Sequence, residues 1–134
     1  MSTYRLANLL SPHSIALVGA SPRQGSVGRA ILRNIRKAGF KGDFGLVNSH
    51  HAEIDGVATI DRLEKLPFAP ELVVLTVPAA AIPGLIDEAG KKGAAGAVIV
   101  SAGLGHGAGS LADAARLAAH KYGMRLIGPN CLGV

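Results

Sequence analysis

Residues 14–28 read SIALVGASPRQGSVG, and this stretch decides the fold. Its first part, Ser14 to Val18, is apolar and partly β-branched and stops at Gly19, which is the pattern of a buried β-strand. The residues from Gly19 to Gly28 then form a glycine-rich turn. A helical pattern begins directly after it, so the stretch predicts a strand, a tight turn and a helix in succession.

Similar apolar runs recur along the chain and predict four more strands. They lie at Asp43–Val47, Leu72–Val77, Gly96–Val100 and Arg125–Ile127. Each is separated from the run before it by a stretch long enough for a crossover helix.

Three amphipathic helices are expected between these strands. The first has an apolar stripe and ends at Gly39; the stripe is Val27, Ala30, Ile31, Asn34, Ile35 and Ala38. The second places Ile82, Leu85, Ile86 and Ala89 on one face and ends near Gly90 and Gly93. The third is capped by Ser110 and ends at Gly123, with a face of Leu111, Ala114, Ala115, Ala118, Ala119 and Tyr122. For Asn48–Pro70 we expect a loop and a short helix from Asp61 to Leu66.

Strands that alternate with helices and are almost wholly apolar indicate a parallel sheet covered on both faces. The predicted fold class is therefore α/β, a Rossmann-like doubly wound parallel sheet of about five strands. Residues 1–134 are expected to form one domain. The pattern leaves the strand order open.

Composition excludes several classes of function. Apolar residues make up 49% and charged residues 17%, which is typical of a globular chain, and no apolar run approaches the length of a membrane span. The lone Cys131 and the absence of metal-ligand spacing favour the reducing cytoplasm and argue against a metal site. A net charge of +5 with 4% aromatic residues favours a small phosphorylated ligand over nucleic acid.

The turn after the first strand is the first candidate binding element. Backbone N–H groups and the dipole of the following helix favour an anion there, so we expect it to hold phosphate. The candidate residues are Gly19, Ala20, Ser21, Arg23, Gly25, Ser26, Val27 and Gly28.

The loop after the second strand helps to distinguish an NAD-binding domain from one that binds another phosphorylated ligand. An NAD-binding domain usually carries Asp or Glu here for the ribose hydroxyls, whereas this chain reads Val47-Asn48-Ser49-His50. Asn48 and Ser49 remain candidates for a ribose or a phosphate. An oxidoreductase domain that binds NAD(P) is therefore the less favoured alternative.

The remaining loops supply the other candidates. Val77 and Pro78 open a small apolar shelf suited to an adenine or a pantetheine arm. The loop from Ser101 to Gly109 has the glycine content that lets a ligand approach the backbone. Asn130 lies in the distinctive stretch Gly128-Pro129-Asn130-Cys131-Leu132-Gly133. Cys131 has no paired histidine motif and is interpreted as a packed thiol, and no residue is assigned as catalytic.

Taken together, the motifs at residues 14–21, 25–28, 77–78, 101–103 and 128–133 resemble the CoA-binding domain of nucleoside-diphosphate-forming acyl-CoA synthetases. The succinyl-CoA synthetase alpha subunit is a more distant relative. The resemblance implies that the ligand is coenzyme A or acyl-CoA. It also implies that the turn from Gly19 to Gly28 contacts the CoA phosphates and that Val77 and Pro78 flank the adenosine. Ser101, Ala102, Gly103 and Asn130 would line the approach of the thiol.

The sequence departs from this family pattern at two places. Relatives typically carry Lys or Arg soon after the second strand, where this chain has Ser49 and His50, and an acidic residue after Ser-Ala-Gly, where it has Leu104-Gly105-His106. The second departure leaves open a regulatory version of the domain in a synthetase-like protein acetyltransferase. In either case we expect the N-terminal part of a larger protein, whose further domains are partners of this one, and no full reaction from this part alone.

Overall fold

A computed structural model describes residues 12–19, 27–48, 50, 52–54, 56–100, 105, 107 and 109–127. Within them a five-stranded sheet and a two-stranded hairpin form. In chain order the strands are β1 (Ser14–Val18), β2 (Asp43–Val47), β3 (Glu53–Ile54), β4 (Val57–Ala58), β5 (Leu72–Leu75), β6 (Gly96–Ile99) and β7 (Arg125–Ile127).

In the same described residues, three α-helices and two short 3₁₀ turns connect the strands. The helices are α1 (Val27–Lys37), α2 (Ile82–Lys91) and α3 (Leu111–Lys121), and the 3₁₀ turns are Leu63–Lys65 and Ala79–Ala81. Among the described residues, no helix is both long and apolar enough to cross a membrane.

The strand order of the large sheet is β2-β1-β5-β6-β7, and every neighbouring pair is parallel. The chain moves outward from β1 to β2 and then crosses back over β1 to β5. The order therefore reverses between β1 and β5. In open α/β sheets such a reversal opens a crevice at the carboxyl ends of the strands, and this crevice is where ligands bind.

The core lies on both faces of the sheet. Leu17 and Leu46 point to the face covered by α1, where they pack with Leu32. Val73 and Ile99 point to the opposite face, which α2 and α3 cover. Because both faces are buried, alternate residues of each strand are equally apolar, and this explains the continuous apolar runs of the sequence.

The fold class and the five strands are confirmed. Two predicted strands were too long at their carboxyl ends, since β5 ends at Leu75 and β6 at Ile99. Hydrogen bonding continues one residue further in each case. Thr76 N donates to Val18 O at 2.9 Å, and Val100 N donates to Leu75 O at 3.0 Å.

The predicted buried face of the first helix was wrong, because it lies to one side of the face that packs on the sheet. Leu32 is its fully buried side chain, whereas Ala30, Asn34 and Ala38 are exposed. Ile31 and Ile35 are half-buried beside Leu32. The face is centred on Leu32 because the helix has to place one large apolar side chain between Leu17 and Leu46.

Residues 48–70 contain more structure than the sequence indicated. Glu53–Ile54 and Val57–Ala58 pair as a small antiparallel hairpin. Ile60 then forms a parallel bridge with Val47 along the outer edge of β2. The expected short helix is present only as the 3₁₀ turn Leu63–Lys65, whose Leu63 is buried in the core.

Helices α2 and α3 meet through a glycine and an aromatic ring. A Cβ atom on Gly90 would lie 2.3 Å from Cδ2 of Tyr122, so the ring occupies the space that a side chain would need. The Tyr122 hydroxyl donates a hydrogen bond of 3.0 Å to Asp87 Oδ1. This bond, together with Lys91 at 3.3 Å, holds the pKa of Asp87 below its usual value. The contact fixes how α2 lies against α3.

Replacing Gly90 with Ala tests this contact. We expect a loss of about 1–3 kcal/mol in the free energy of unfolding, because the new methyl group forces the Tyr122 ring to move. Gly84→Ala in the same helix is the matched control, since no described atom lies within 4 Å of its Cβ position. The control should be neutral or more stable by up to about 1 kcal/mol. Urea unfolding midpoints measure both, and equal stability of the two variants would contradict the contact.

Candidate functional site

A cleft of about 620 Å³ opens at the carboxyl edge of the sheet, where the strand order reverses. Three strand ends form its floor. Their lining residues are Val18, Gly19, Val47, Asn48, Thr76, Val77 and Pro78. Its volume lies within the range of small-molecule sites, about 300–1,000 Å³.

Gly19, at the end of β1, contacts the chain at the ends of both neighbouring strands. Its φ is +93°, which side chains rarely adopt, and a Cβ atom there would lie 2.6 Å from Val77 Cγ1. Its N–H donates to Val47 O at 2.9 Å. Both the conformation and the contact therefore require glycine, and the chain can turn away from β1 without separating it from β2 and β5.

Thr76 ties β5 to β1 with two bonds to one acceptor. Its backbone N–H and its hydroxyl each donate to Val18 O at 2.9 Å. Val77 follows directly and packs against Gly19. Pro78 then begins the 3₁₀ turn Ala79–Ala81, with Ala81 N donating to Pro78 O at 2.9 Å. Val77 and Pro78, the first two residues of the predicted apolar shelf, therefore lie at the floor of the cleft.

Asn48 continues the β2 end of the floor. Its side-chain oxygen accepts a hydrogen bond of 2.7 Å from His50 N, and its own N–H donates to Ile60 O at 2.9 Å. The side chain therefore shapes the loop that follows β2. His50 is exposed and also lines the cleft.

Two walls rise from this floor, and none of their residues was among the predicted site residues. One is the segment Asp61–Glu64, and the other consists of Ala81 and the first turns of α2, with Gly84, Leu85 and Glu88. The first wall reaches the cleft only because Ile60 pairs with Val47, a contact between distant positions that local periodicity does not encode. The second could have been found, since the start of a helix that follows a strand end lies at the same edge.

The charged groups of the first wall are mostly paired with one another. Asp61 lies 3.1 Å from Lys65 Nζ, and Arg62 lies 3.4 Å from Glu64 Oε1. Both pairs are more than half exposed, so each contributes little to stability.

The predicted cap of the third helix is confirmed. Ser110 Oγ accepts a hydrogen bond of 3.1 Å from Asp113 N, and the Ser110 hydroxyl donates to Gly107 O at 2.7 Å. The pKa of Asp113 lies below its usual value, chiefly because Arg116 donates to it and also because the Gly109 amide does. Gly107 and Gly109, in the loop from Ser101 to Gly109, are therefore held to the start of α3.

Of the candidate residues, Gly19, Asn48, Val77 and Pro78 are brought together around one cleft. Val27 and Gly28 begin α1. The others lie outside the described residues: Ala20, Ser21, Arg23, Gly25, Ser26, Ser49, Ser101, Ala102, Gly103 and Asn130. In the part of the chain that the structure describes, no group of three or more His, Cys, Asp or Glu side chains is arranged to hold a metal ion.

Comparisons with known proteins point to one family. The family model for the CoA binding domain matches residues 13–134. ADP-forming acetate–CoA ligase I of Archaeoglobus fulgidus is 36% identical over 132 residues, which are 96% of this chain and 19% of that protein. The alpha subunit of ADP-forming acetate–CoA ligase I of Pyrococcus furiosus is 34% identical over 96% of this chain and 29% of the subunit.

A solved structure agrees with these sequence matches. Acetyl-coenzyme A synthetase 1 of Ca. Korarchaeum cryptofilum, in complex with phosphate and ADP, superposes with a TM-score of 0.85 at 35% identity. The match covers 96% of this chain and 28% of the synthetase. The chain thus spans between a fifth and a third of the length of these relatives.

Gly19→Ala tests the close approach at the floor. We expect a loss of about 1–2 kcal/mol from the left-handed conformation and a further 1–3 kcal/mol or so from the contact with Val77. Gly39→Ala is the matched control, because Gly39 has a φ of +73° and no described atom within 4 Å of its Cβ position. It should lose only the conformational part. Adding Val77→Ala to Gly19→Ala should recover stability in denaturant unfolding, and equal losses at Gly19 and Gly39 would contradict the contact.

Proposed function

This chain belongs to the CoA binding domain family, and from that premise we propose that the cleft beside Gly19 is its coenzyme A site. The observation that carries the proposal is the cleft at the reversal of strand order, where the ends of β1, β2 and β5 meet. Doubly wound sheets bind nucleotides at this position.

The chemistry of the described lining suits the adenosine half of CoA. Val77 and Leu85 offer apolar surface for a purine ring, and Asn48 offers an amide beside the ribose. Gly19 carries no side chain that would separate a ligand from the backbone. These features support binding at this edge of the sheet in preference to either face, since α1, α2 and α3 cover the faces.

The other parts of CoA are assigned as the resemblance to the CoA-binding domain implies. The diphosphate lies on the turn from Gly19 to Gly28, against backbone N–H groups and the amino end of α1, with Ala20, Ser21, Arg23, Gly25, Ser26 and Val27 as candidate contacts. The ribose lies beside Asn48 and Ser49, and the adenine beside Val77 and Pro78. The pantetheine arm runs toward Ser101, Ala102, Gly103 and Asn130.

In this proposal the chain is a domain of an ADP-forming acyl-CoA ligase. The domain binds CoA as a substrate of that ligase. Relatives in which the matched region is only part of a longer chain or subunit support further domains as its partners. The group transfer is assigned to those domains, because the described cleft offers no nucleophile paired with a base. A cytoplasmic location belongs to the same proposal, given a single cysteine in the sequence.

Two other functions are less supported. None of the three relatives described above is named an acetyltransferase or an NAD(P)-dependent enzyme. The residue after β2 is Asn48, whereas an NAD site would usually have an acid there.

Thermal unfolding with CoA, acetyl-CoA, NAD or NADP tests the proposal. At about 100 times its Kd, a ligand of the folded state adds roughly 2.7 kcal/mol of stability, so CoA and acetyl-CoA should raise the Tm while NAD and NADP should not. Stabilisation by NAD alone, or by none of the four, would refute the CoA assignment.

A pair of tryptophan variants tests whether CoA binds in the cleft. Leu85→Trp should weaken CoA binding at least about tenfold, or 1.4 kcal/mol, because the ring fills the cleft. Leu117→Trp makes the same change on α3 at a side chain that is 55% exposed and outside the described lining, and should leave binding unchanged. Equal affinity of both variants would place the ligand elsewhere.

A further inference from the structure

The cleft holds a fixed positive charge that does not come from the loop after β2. In the described lining that loop offers Asn48 and His50 and neither Lys nor Arg. Within the described lining, Arg62 is the one Lys or Arg residue. Its guanidinium offers five N–H donors in a planar fork that matches the geometry of a phosphate.

The backbone of Arg62 is held at the cleft by anchored residues on both sides. On one side, Ile60 N donates to Leu46 O at 2.8 Å and Ile60 O accepts from Asn48 N at 2.9 Å. On the other side, Leu63 is only 1% exposed. Arg62 therefore stands at the carboxyl edge next to the end of β2, although it is far from β2 in sequence.

We propose that Arg62 recognises the phosphate on the ribose of CoA, the 3′-phosphate, and so distinguishes CoA from its dephosphorylated form; this rests on the proposed function. In doubly wound sheets the ribose lies by the residue that follows β2, and an arginine near that residue accommodates a phosphate carried on the ribose. The proposed function puts the ribose beside Asn48, and Arg62 lines the same cleft.

The present partner of Arg62 can be exchanged for a phosphate at low cost. The guanidinium lies 3.4 Å from Glu64 Oε1, and the two side chains are 67% and 64% exposed. An exposed ion pair of this kind contributes about 0–1 kcal/mol. An arginine can instead form two parallel hydrogen bonds to a phosphate, which is the stronger interaction.

The neighbouring carboxylates increase the loss of phosphate binding that we expect when Arg62 is replaced. Asp61, Glu64 and Glu88 also line the cleft. Without Arg62 the cleft would present these negative groups to the phosphate with no arginine among them. The loss of Arg62 should therefore replace an attraction with a repulsion, and the effect should fall on the phosphorylated ligand alone.

Calorimetric titration with CoA and dephospho-CoA tests the proposal. The wild-type chain should bind CoA more tightly than dephospho-CoA. Arg62→Gln should weaken CoA binding by about tenfold or more, equivalent to 1.4 kcal/mol, while dephospho-CoA binding changes little. The preference for CoA should thus largely disappear, and Arg62→Lys should keep part of it, because lysine retains the charge without the planar fork.

Arg116→Gln is the matched control. Arg116 is 66% exposed, pairs with Asp113 at 2.6 Å and lies outside the described lining, so this variant loses the same charge elsewhere on the surface. It should keep the wild-type preference for CoA. Glu64→Gln should strengthen CoA binding, since it removes both a competing partner and a negative charge.

The outcomes separate this proposal from the one on which it rests. The role of Arg62 is refuted if Arg62→Gln keeps the wild-type ratio of the two affinities, or if Arg116→Gln lowers that ratio equally. In that case Arg62 does not recognise the phosphate, while the proposed CoA site is unaffected. If the wild-type chain binds neither ligand, the proposed function fails and the role of Arg62 fails with it. Equal unfolding midpoints of the variants establish that the comparison is between folded proteins.

Discussion

The close packing of three strand ends around Gly19 is the constraint on which the site depends. Val18 O accepts two hydrogen bonds from Thr76, while Gly19 N donates to Val47 O and the missing side chain of Gly19 leaves room for Val77. These contacts keep β1, β2 and β5 together up to their last residues. A side chain at Gly19 would push the shelf at Val77 away from the floor of the cleft.

Residue patterns predicted the parts of the molecule that depend on local order. Ser14–Val18 and Asp43–Val47 have the bounds expected from their apolar runs, and Ser110 caps α3 because its side chain needs only a near neighbour in sequence. Gly19, Asn48, Val77 and Pro78 could be predicted to lie together because carboxyl ends of parallel strands share an edge.

The features that were missed depend on contacts between distant residues. The strand order follows from which strands pair, and local periodicity does not specify this. The hairpin strands at Glu53–Ile54 and Val57–Ala58 are too short to show alternation. Leu32 was missed because the stripe chosen for α1 ran beside it, and only its packing with Leu17 and Leu46 identifies the buried face. Arg62 reaches the cleft through the bridge of Ile60 to Val47.

The cleft divides into surfaces of different chemical character. The floor is mostly backbone, with small or apolar side chains such as Val77, while the outer wall carries the charged residues Asp61, Arg62 and Glu64. A ligand with an apolar ring and separate phosphates matches this division. In the proposed function, the floor binds the nucleotide and the outer wall selects among related ligands.

The central claim is that CoA binds where β1, β2 and β5 end, and the amide resonances of those residues test it most directly. In a titration of the ¹⁵N-labelled chain with CoA, the amides of Gly19, Asn48 and Val77 should shift until saturation, whereas those of Leu117 and Gly93, on the outer surface, should not. Saturable shifts confined to α3 or to the β7 edge, with the amides at the ends of β1, β2 and β5 unmoved, would contradict the claim.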